Sequence, residues 1–110
     1  MNYCIFCEIS NHQQPADIVF EDEQMIVFKD IKPKAAVHFL IVPKKHIDSI
    51  EALKEEDKEL VSQMIFLAKK MAQEQGVSQT GYKLLFNVLR GGGQLIDHIH
   101  LHLIGGEVRP

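Results

Sequence analysis

Residues 98–104 read His98-Ile99-His100-Leu101-His102-Leu103-Ile104, with imidazole and aliphatic side chains alternating. A period of two is that of a β-strand, whose successive side chains point to opposite faces. The run therefore predicts a strand over 98–104, ended by Gly105-Gly106 and followed by a four-residue tail. Ile99, Leu101 and Leu103 face the core, and His98, His100 and His102 share the other side. Three aligned imidazoles are poor core material, because each carries two nitrogens that need partners.

Two chemistries use such a row, metal ligation and proton or nucleophilic catalysis. His98 and His102 lie about 13 Å apart along an extended strand, so one ion held by all three is awkward. A histidine nucleophile needs one ring nitrogen free to attack while the other donates its N–H to a carbonyl or carboxylate. His100, in the middle, suits that role, with an imidazole on either side to donate to phosphoryl oxygens.

Upstream, Arg90-Gly91-Gly92-Gly93-Gln94 is a loop. Its glycines either bring bare backbone N–H groups close to an anion or simply permit a turn. It is not a Walker loop, since Gln94-Leu95 stands where Lys-Ser or Lys-Thr is required. Tyr82 to Val88 reads as another strand, and Glu55 to Gln75 has helical period. Leu60, Met64, Leu67 and Met71 form the helix stripe, with Val61, Ile65, Ala68 and Ala72 beside it. Gly76 is placed to end the helix, and Lys69 and Lys70 complement its dipole. The stripe is wide enough for a sheet and a second subunit.

Further back, Ile18 to Phe20 and Met25 to Phe28 predict a hairpin across Glu21-Asp22-Glu23-Gln24, and Val37 to Val42 a strand closed by Pro43. Ile31-Lys32-Pro33-Lys34 is turn chemistry. The sum is an α+β domain with a mostly antiparallel sheet and one main helix.

The bulk properties set bounds on function. The 110 residues are expected to form one domain, 1–110, and 45% apolar content supplies a core. A net charge of −3 with mixed signs gives no broad basic face, so no nucleic-acid partner is expected. No export signal or window of about 20 apolar residues is seen, so a soluble, cytoplasmic protein without a membrane partner is the expectation.

His98 to Ile104 also matches the His-φ-His-φ-His-φ-φ motif, φ being apolar, and resembles the histidine triad superfamily. The resemblance takes in Ile5-Phe6-Cys7-Glu8-Ile9, Phe20-Glu21-Asp22, Asp30-Ile31, His38 to His46, Asn87 and Gly92-Gly93-Gln94. Leu103-Ile104-Gly105-Gly106 is similar to the Hint branch, the purine nucleoside phosphoramidases; the dinucleoside polyphosphate hydrolases tend to have Pro-Arg there. It implies an antiparallel sheet of about five strands with one long helix and a short one, continued across a homodimer. It also implies hydrolysis of adenosine 5′-monophosphoramidate to AMP through a nucleotidyl-histidine on His100, with no cofactor required for the chemistry.

By the same resemblance, His102 contacts phosphate, while His98 and His38 lie in the active site. Asp30, beside Ile31, holds the ribose hydroxyls, although an Asp before a proline-containing turn also reads as a turn cap. Phe6, Ile9 and Phe28 match the walls around the purine, and as isolated residues they read as core. Asn87, Gly93 and Gln94 match contacts to phosphate and ribose. Leu95 replaces a serine that donates there in some members, leaving only a backbone N–H.

Cys4 and Cys7, the only cysteines, are a Cys-x-x-Cys half-site or a pair of small buried thiols. Some triad proteins with this pair bind structural zinc through two further histidines, which match His46 and His98 here. A thioredoxin-like redox pair is not expected, since no helix is predicted to begin there. Competing functions are dinucleoside polyphosphate hydrolysis, a nucleotide-binding interaction module with weak activity, and a metal-dependent hydrolase. Chelation would abolish activity in the last, whereas loss of structural zinc would lower stability.

Overall fold

A computed structural model describes residues 3–108, with Val108 described by its backbone alone. Its strands are β1 Ile18–Glu21, β2 Met25–Lys29, β3 Ala35–Pro43, β4 Tyr82–Leu85 and β5 Leu101–Val108. They form one antiparallel sheet in the order β1-β2-β3-β5-β4. Two helices flank it, α1 Ile5–Ser10 and α2 Lys58–Glu74.

The β1-β2 hairpin forms as expected. Its connection is one residue shorter because Glu21 joins β1, and the Asp22 carboxylate accepts the N–H groups of Gln24 and Met25 at 2.8 and 2.7 Å. Alternation along the strands sorts the apolar residues into two cores. Val27, Val37, Phe39, Ile41, Leu101 and Leu103 pack against Met64, Ala68, Met71 and Ala72 of α2. On the opposite face Ile26, Phe28, Leu40 and Val42 pack against Phe6 and Ile9 of α1. This second face carries the histidines: His102 pairs with Leu40 across β3-β5, and His38 with Ile104.

Several boundaries differ from the sequence reading. The histidine strand starts at Leu101, not His98, and runs through Gly105-Gly106 to Val108. Residues 98–100 are drawn off the β3 ladder instead: Ile99 N–H donates to Ile47 O and His98 Nε2 to Pro43 O, both at 2.7 Å. Gly105 lies within the strand, paired with Val37 and Tyr82, and neighbouring β-carbons leave no room there for a larger residue. A Cβ there would lie 3.0 Å from Tyr82 Cβ and 3.1 Å from Val77 Cβ. Gly105→Ala is therefore expected to lower stability by about 1–3 kcal/mol in denaturant unfolding.

The long helix begins at Lys58 after a 3-10 turn at Glu55–Asp57, and Gly76 follows its end with φ of +75°. Ile65 does not join the buried stripe; with Phe66 it is exposed. β4 stops at Leu85, short of Val88. A helix does start at the cysteine pair, contrary to expectation: Cys4 is the N-cap of α1, and its Sγ accepts Cys7 N–H at 3.4 Å. No helix among the described residues is long and apolar enough to cross a membrane.

Candidate active site

His100 is buried on the approach to β5, with Phe6 set edge-on 5.1 Å from its ring centroid. Its Nδ1 lies 2.7 Å from His98 O. A carbonyl only accepts, so Nδ1 carries the proton and Nε2 keeps its lone pair. Burial lowers the pKa of the ring, partly opposed by that hydrogen bond, and so favours the neutral form. These are the conditions for a histidine nucleophile.

Partners also fix the neighbouring tautomers. Lys34 N–H donates to His38 Nδ1 at 3.1 Å, which leaves the His38 proton on Nε2. That Nε2–H faces His102 Nδ1 at 2.9 Å, with an Asp30 carboxylate oxygen 3.4 Å away. His102 thus accepts at Nδ1 and has a proton on Nε2 to donate. Burial, aided by His100 and His38, holds its pKa down at about 4, and burial also lowers His38. Asp30 Oδ1 accepts Lys32 N–H at 2.8 Å, so Asp30 caps its turn as well.

His98 parts company with the other two. Its Nδ1 lies 3.4 and 3.6 Å from Cys4 and Cys7 Sγ, and His46 Nδ1 lies 3.2 Å from Cys7 Sγ. All four ligand atoms fall within 4.8 Å of one another. A tetrahedral zinc with bonds of about 2.3 Å to sulfur and 2.0 Å to nitrogen gives S···N edges of about 3.5 Å, which these spacings match. The second shell fits too. His98 Nε2 and His46 Nε2 donate to Pro43 O and Asp48 Oδ1, each at 2.7 Å, so both Nδ1 lone pairs point inward.

Asp30, His38 and His102 are a second group of possible ligands. It fails the same test: a metal on His38 Nε2 would require a proton on Nδ1, where Lys34 N–H already points. This group suits a hydrogen-bond relay. Without metal, burial and the hydrogen bond with Cys4 push the Cys7 thiol up to about 11, unlike the acidic thiol of a redox pair.

The glycine loop is tightly braced. Gly92, Gly93 and Gln94 spend their N–H groups on the carbonyls of Leu89, Arg90 and Leu89. Asn87 Nδ2 donates to Gly92 O at 2.8 Å, and Gly93 takes φ of +84°. Arg90 reaches both Asp97 oxygens, at 2.8 and 3.1 Å. Gln94 turns inward and is 1% exposed, with its amide bonded to Leu89 N–H, Asp48 O and Ile96 O. Its side chain is thus committed to the loop rather than presented to a ligand. Leu95 and Ile31, in contrast, are 80% and 92% exposed.

Phe6, Ile9 and Phe28 are buried in the second core, with Phe6 reaching the His100 ring. The sequence reading gave Pro43 only as the close of a strand, and it did not single out Asp48 or Asp97. The His46-x-Asp48 spacing was the available signal for one of them, since metal-bound histidines pair with carboxylates.

Residues 3–109 match the family described as scavenger mRNA decapping enzyme C-term binding. A purine nucleoside phosphoramidase of Escherichia coli (strain K12) is 39% identical over 103 residues, 94% of this chain and 87% of that protein. The crystal structure of a HIT family hydrolase from Legionella pneumophila Philadelphia 1 superposes with a TM-score of 0.94 at 50% identity, covering 96% of this chain and 94% of that one. A Zn-bound histidine triad family protein from Mycobacterium smegmatis has a TM-score of 0.82 at 28% identity, covering 94% and 75%.

Proposed function

The chain belongs to the histidine triad (HIT) family and is an enzyme acting on nucleotides; from that premise we propose that it hydrolyses purine nucleoside 5′-phosphoramidates with His100 as nucleophile. The observation that carries this reading is the 2.7 Å contact of His100 Nδ1 with His98 O, which leaves Nε2 unprotonated. Nε2 attacks the α-phosphorus, the P–N bond breaks, and the nitrogen leaves as an amine after gaining a proton. Water then attacks the nucleotidyl-histidine, the P–Nε2 bond breaks, and the nucleoside monophosphate forms as the water proton returns to the site. Two displacements replace one difficult step.

His102 Nε2–H donates to a phosphoryl oxygen, its tautomer set by the His38 relay. Asp30 takes the ribose hydroxyls through the carboxylate oxygen that does not cap the turn, with Ile31 beside it. Phe6, Ile9 and Phe28 form the base of the purine slot, and the Asn87, Gly93, Gln94 and Leu95 backbone borders the phosphate. Rates on adenosine 5′-phosphoramidate and on a dinucleoside polyphosphate test the substrate class. A faster phosphoramidate reaction is expected; a polyphosphate preference would overturn it.

The assembly we propose is a homodimer. β4 is an edge strand, and Leu84 and Leu85 on it, with Ile65 and Phe66 on α2, are exposed apolar residues that a second copy would cover. Light scattering on the eluted protein should give twice the chain mass. We also assign a structural zinc to Cys4, Cys7, His46 and His98, on the spacing and tautomers above and the Zn-bound relative.

Acid behaviour follows from the buried rings. An ordinary imidazole titrates near about 6.5, whereas His102 is held at about 4. Because the folded value is lowered, the neutral form persists below the ordinary value. Burial lowers His100 and His38 as well, so, corrected for uncatalysed acid hydrolysis, kcat/KM is expected to fall with a midpoint below the ordinary imidazole value. A midpoint at the ordinary value would contradict this. Stability declines over the same window, since the unfolded chain binds protons that the buried rings refuse.

A further inference from the structure

Two hydrogen-bonded routes tie the cysteine centre to the nucleotide site. The first is His98 itself, whose ring faces the thiols while its backbone carbonyl accepts His100 Nδ1–H at 2.7 Å. Any shift of His98 moves the one acceptor that sets the nucleophile's tautomer.

The second route runs through Asp48. Its Oδ1 accepts His46 Nε2–H at 2.7 Å, and its main-chain oxygen accepts Gln94 Nε2–H at 2.7 Å. Gln94 in turn accepts Leu89 N–H at 2.9 Å. Leu89 has φ of +60° and ψ of 178°, a region that only glycine enters freely. The loop is thus held in a strained form by a buried amide anchored to the residue behind His46. A further tie, Ile99 N–H to Ile47 O at 2.7 Å, links the same two segments.

We propose that Asp48 and His98 are positioning residues joining the Cys4–Cys7–His46–His98 centre to the nucleotide site, so that a metal ion at one and a nucleotide at the other raise each other's affinity. The proposal rests on the zinc and nucleophile assignments above. Four metal bonds fix His46 and His98 where thiol–imidazole contacts of 3.2 to 3.6 Å hold them weakly. The nucleotide selects the same tight arrangement, since its phosphate needs His100 and the loop in place. Linkage then requires equal factors in both directions.

The test uses Co²⁺, read by its ligand-field absorption, titrated into the metal-free full chain with and without saturating AMP, and AMP titrated calorimetrically with and without Co²⁺. Both affinities are expected to rise about five-fold or more, by the same factor. Asp48→Ala keeps the main-chain carbonyl but removes the acceptor of His46, so Co²⁺ binding weakens about ten-fold or more and the linkage shrinks. Asp48→Asn, whose side-chain oxygen still accepts that N–H, restores both; a merely local role would move metal affinity without moving the linkage. Co²⁺ binding at one per chain with identical curves in both conditions would overturn the inference and leave the metal centre standing. No Co²⁺ binding would overturn both, and no AMP binding would overturn the nucleotide reading together with the inference.

Discussion

His100→Ala is expected to lower turnover of adenosine 5′-phosphoramidate by about 10⁴-fold or more, because a nucleophile that forms a covalent intermediate has no substitute in its site. The fold should survive. The ring lies outside the core packed under α2, and its loss leaves a gap beside Phe6 and an unpaired His98 carbonyl. A cost of about 1–3 kcal/mol is expected for the lost partner. Far-UV circular dichroism should therefore resemble that of the parent while turnover disappears. His102→Ala should act differently, lowering kcat while leaving the nucleophile able to react. Undiminished turnover in the His100 variant would end the mechanism.

Removal of metal from the proposed zinc site is expected to lower stability strongly. An ion at about 1,000 times its Kd stabilises the folded state by about 4 kcal/mol. For a chain of this size that is about 15 °C in Tm. Cys4 caps α1, and His98 and His46 anchor the approach to β5 and the loop after β3, so the loss reaches three segments at once. Chelation, or Cys4→Ser with Cys7→Ser, should lower the scanning-calorimetry midpoint by that order. Well below the new midpoint, hydrolysis should continue, reduced only by the weaker nucleotide affinity. Complete loss of activity in a folded, metal-free chain would instead mark a metal-dependent hydrolase.

Much of this arrangement was legible in the sequence because it is local. Alternation from Leu101 to Leu103 marks one face of β5, helical spacing of Met64, Ala68 and Met71 marks the covered side of α2, and Gly76 marks its end. What stayed hidden depends on partners distant in the chain. The pattern at His98 to His100 is that of a strand, yet the carbonyls of Pro43 and Ile47 pull these residues off the ladder. Gln94 is polar and next to glycines, which suggests a ligand contact; three backbone partners from residues 48, 89 and 96 turn it inward. The helix at Cys4 escaped notice because its N-cap is a thiol rather than the usual hydroxyl or carboxylate. The division of the three histidines was already implied by the resemblance and the cysteine pair, and the atoms that face each ring add its geometry.

The proposed reaction turns on a bond between His100 Nε2 and phosphorus. Rapid mixing with adenosine 5′-phosphoramidate, a denaturing alkaline quench and peptide mass spectrometry tests it most directly. An adenylyl group should sit on His100, formed and lost at least as fast as kcat and missing in His100→Ala. Turnover at the full rate with no adduct, or with the adenylyl group on another residue, would contradict it.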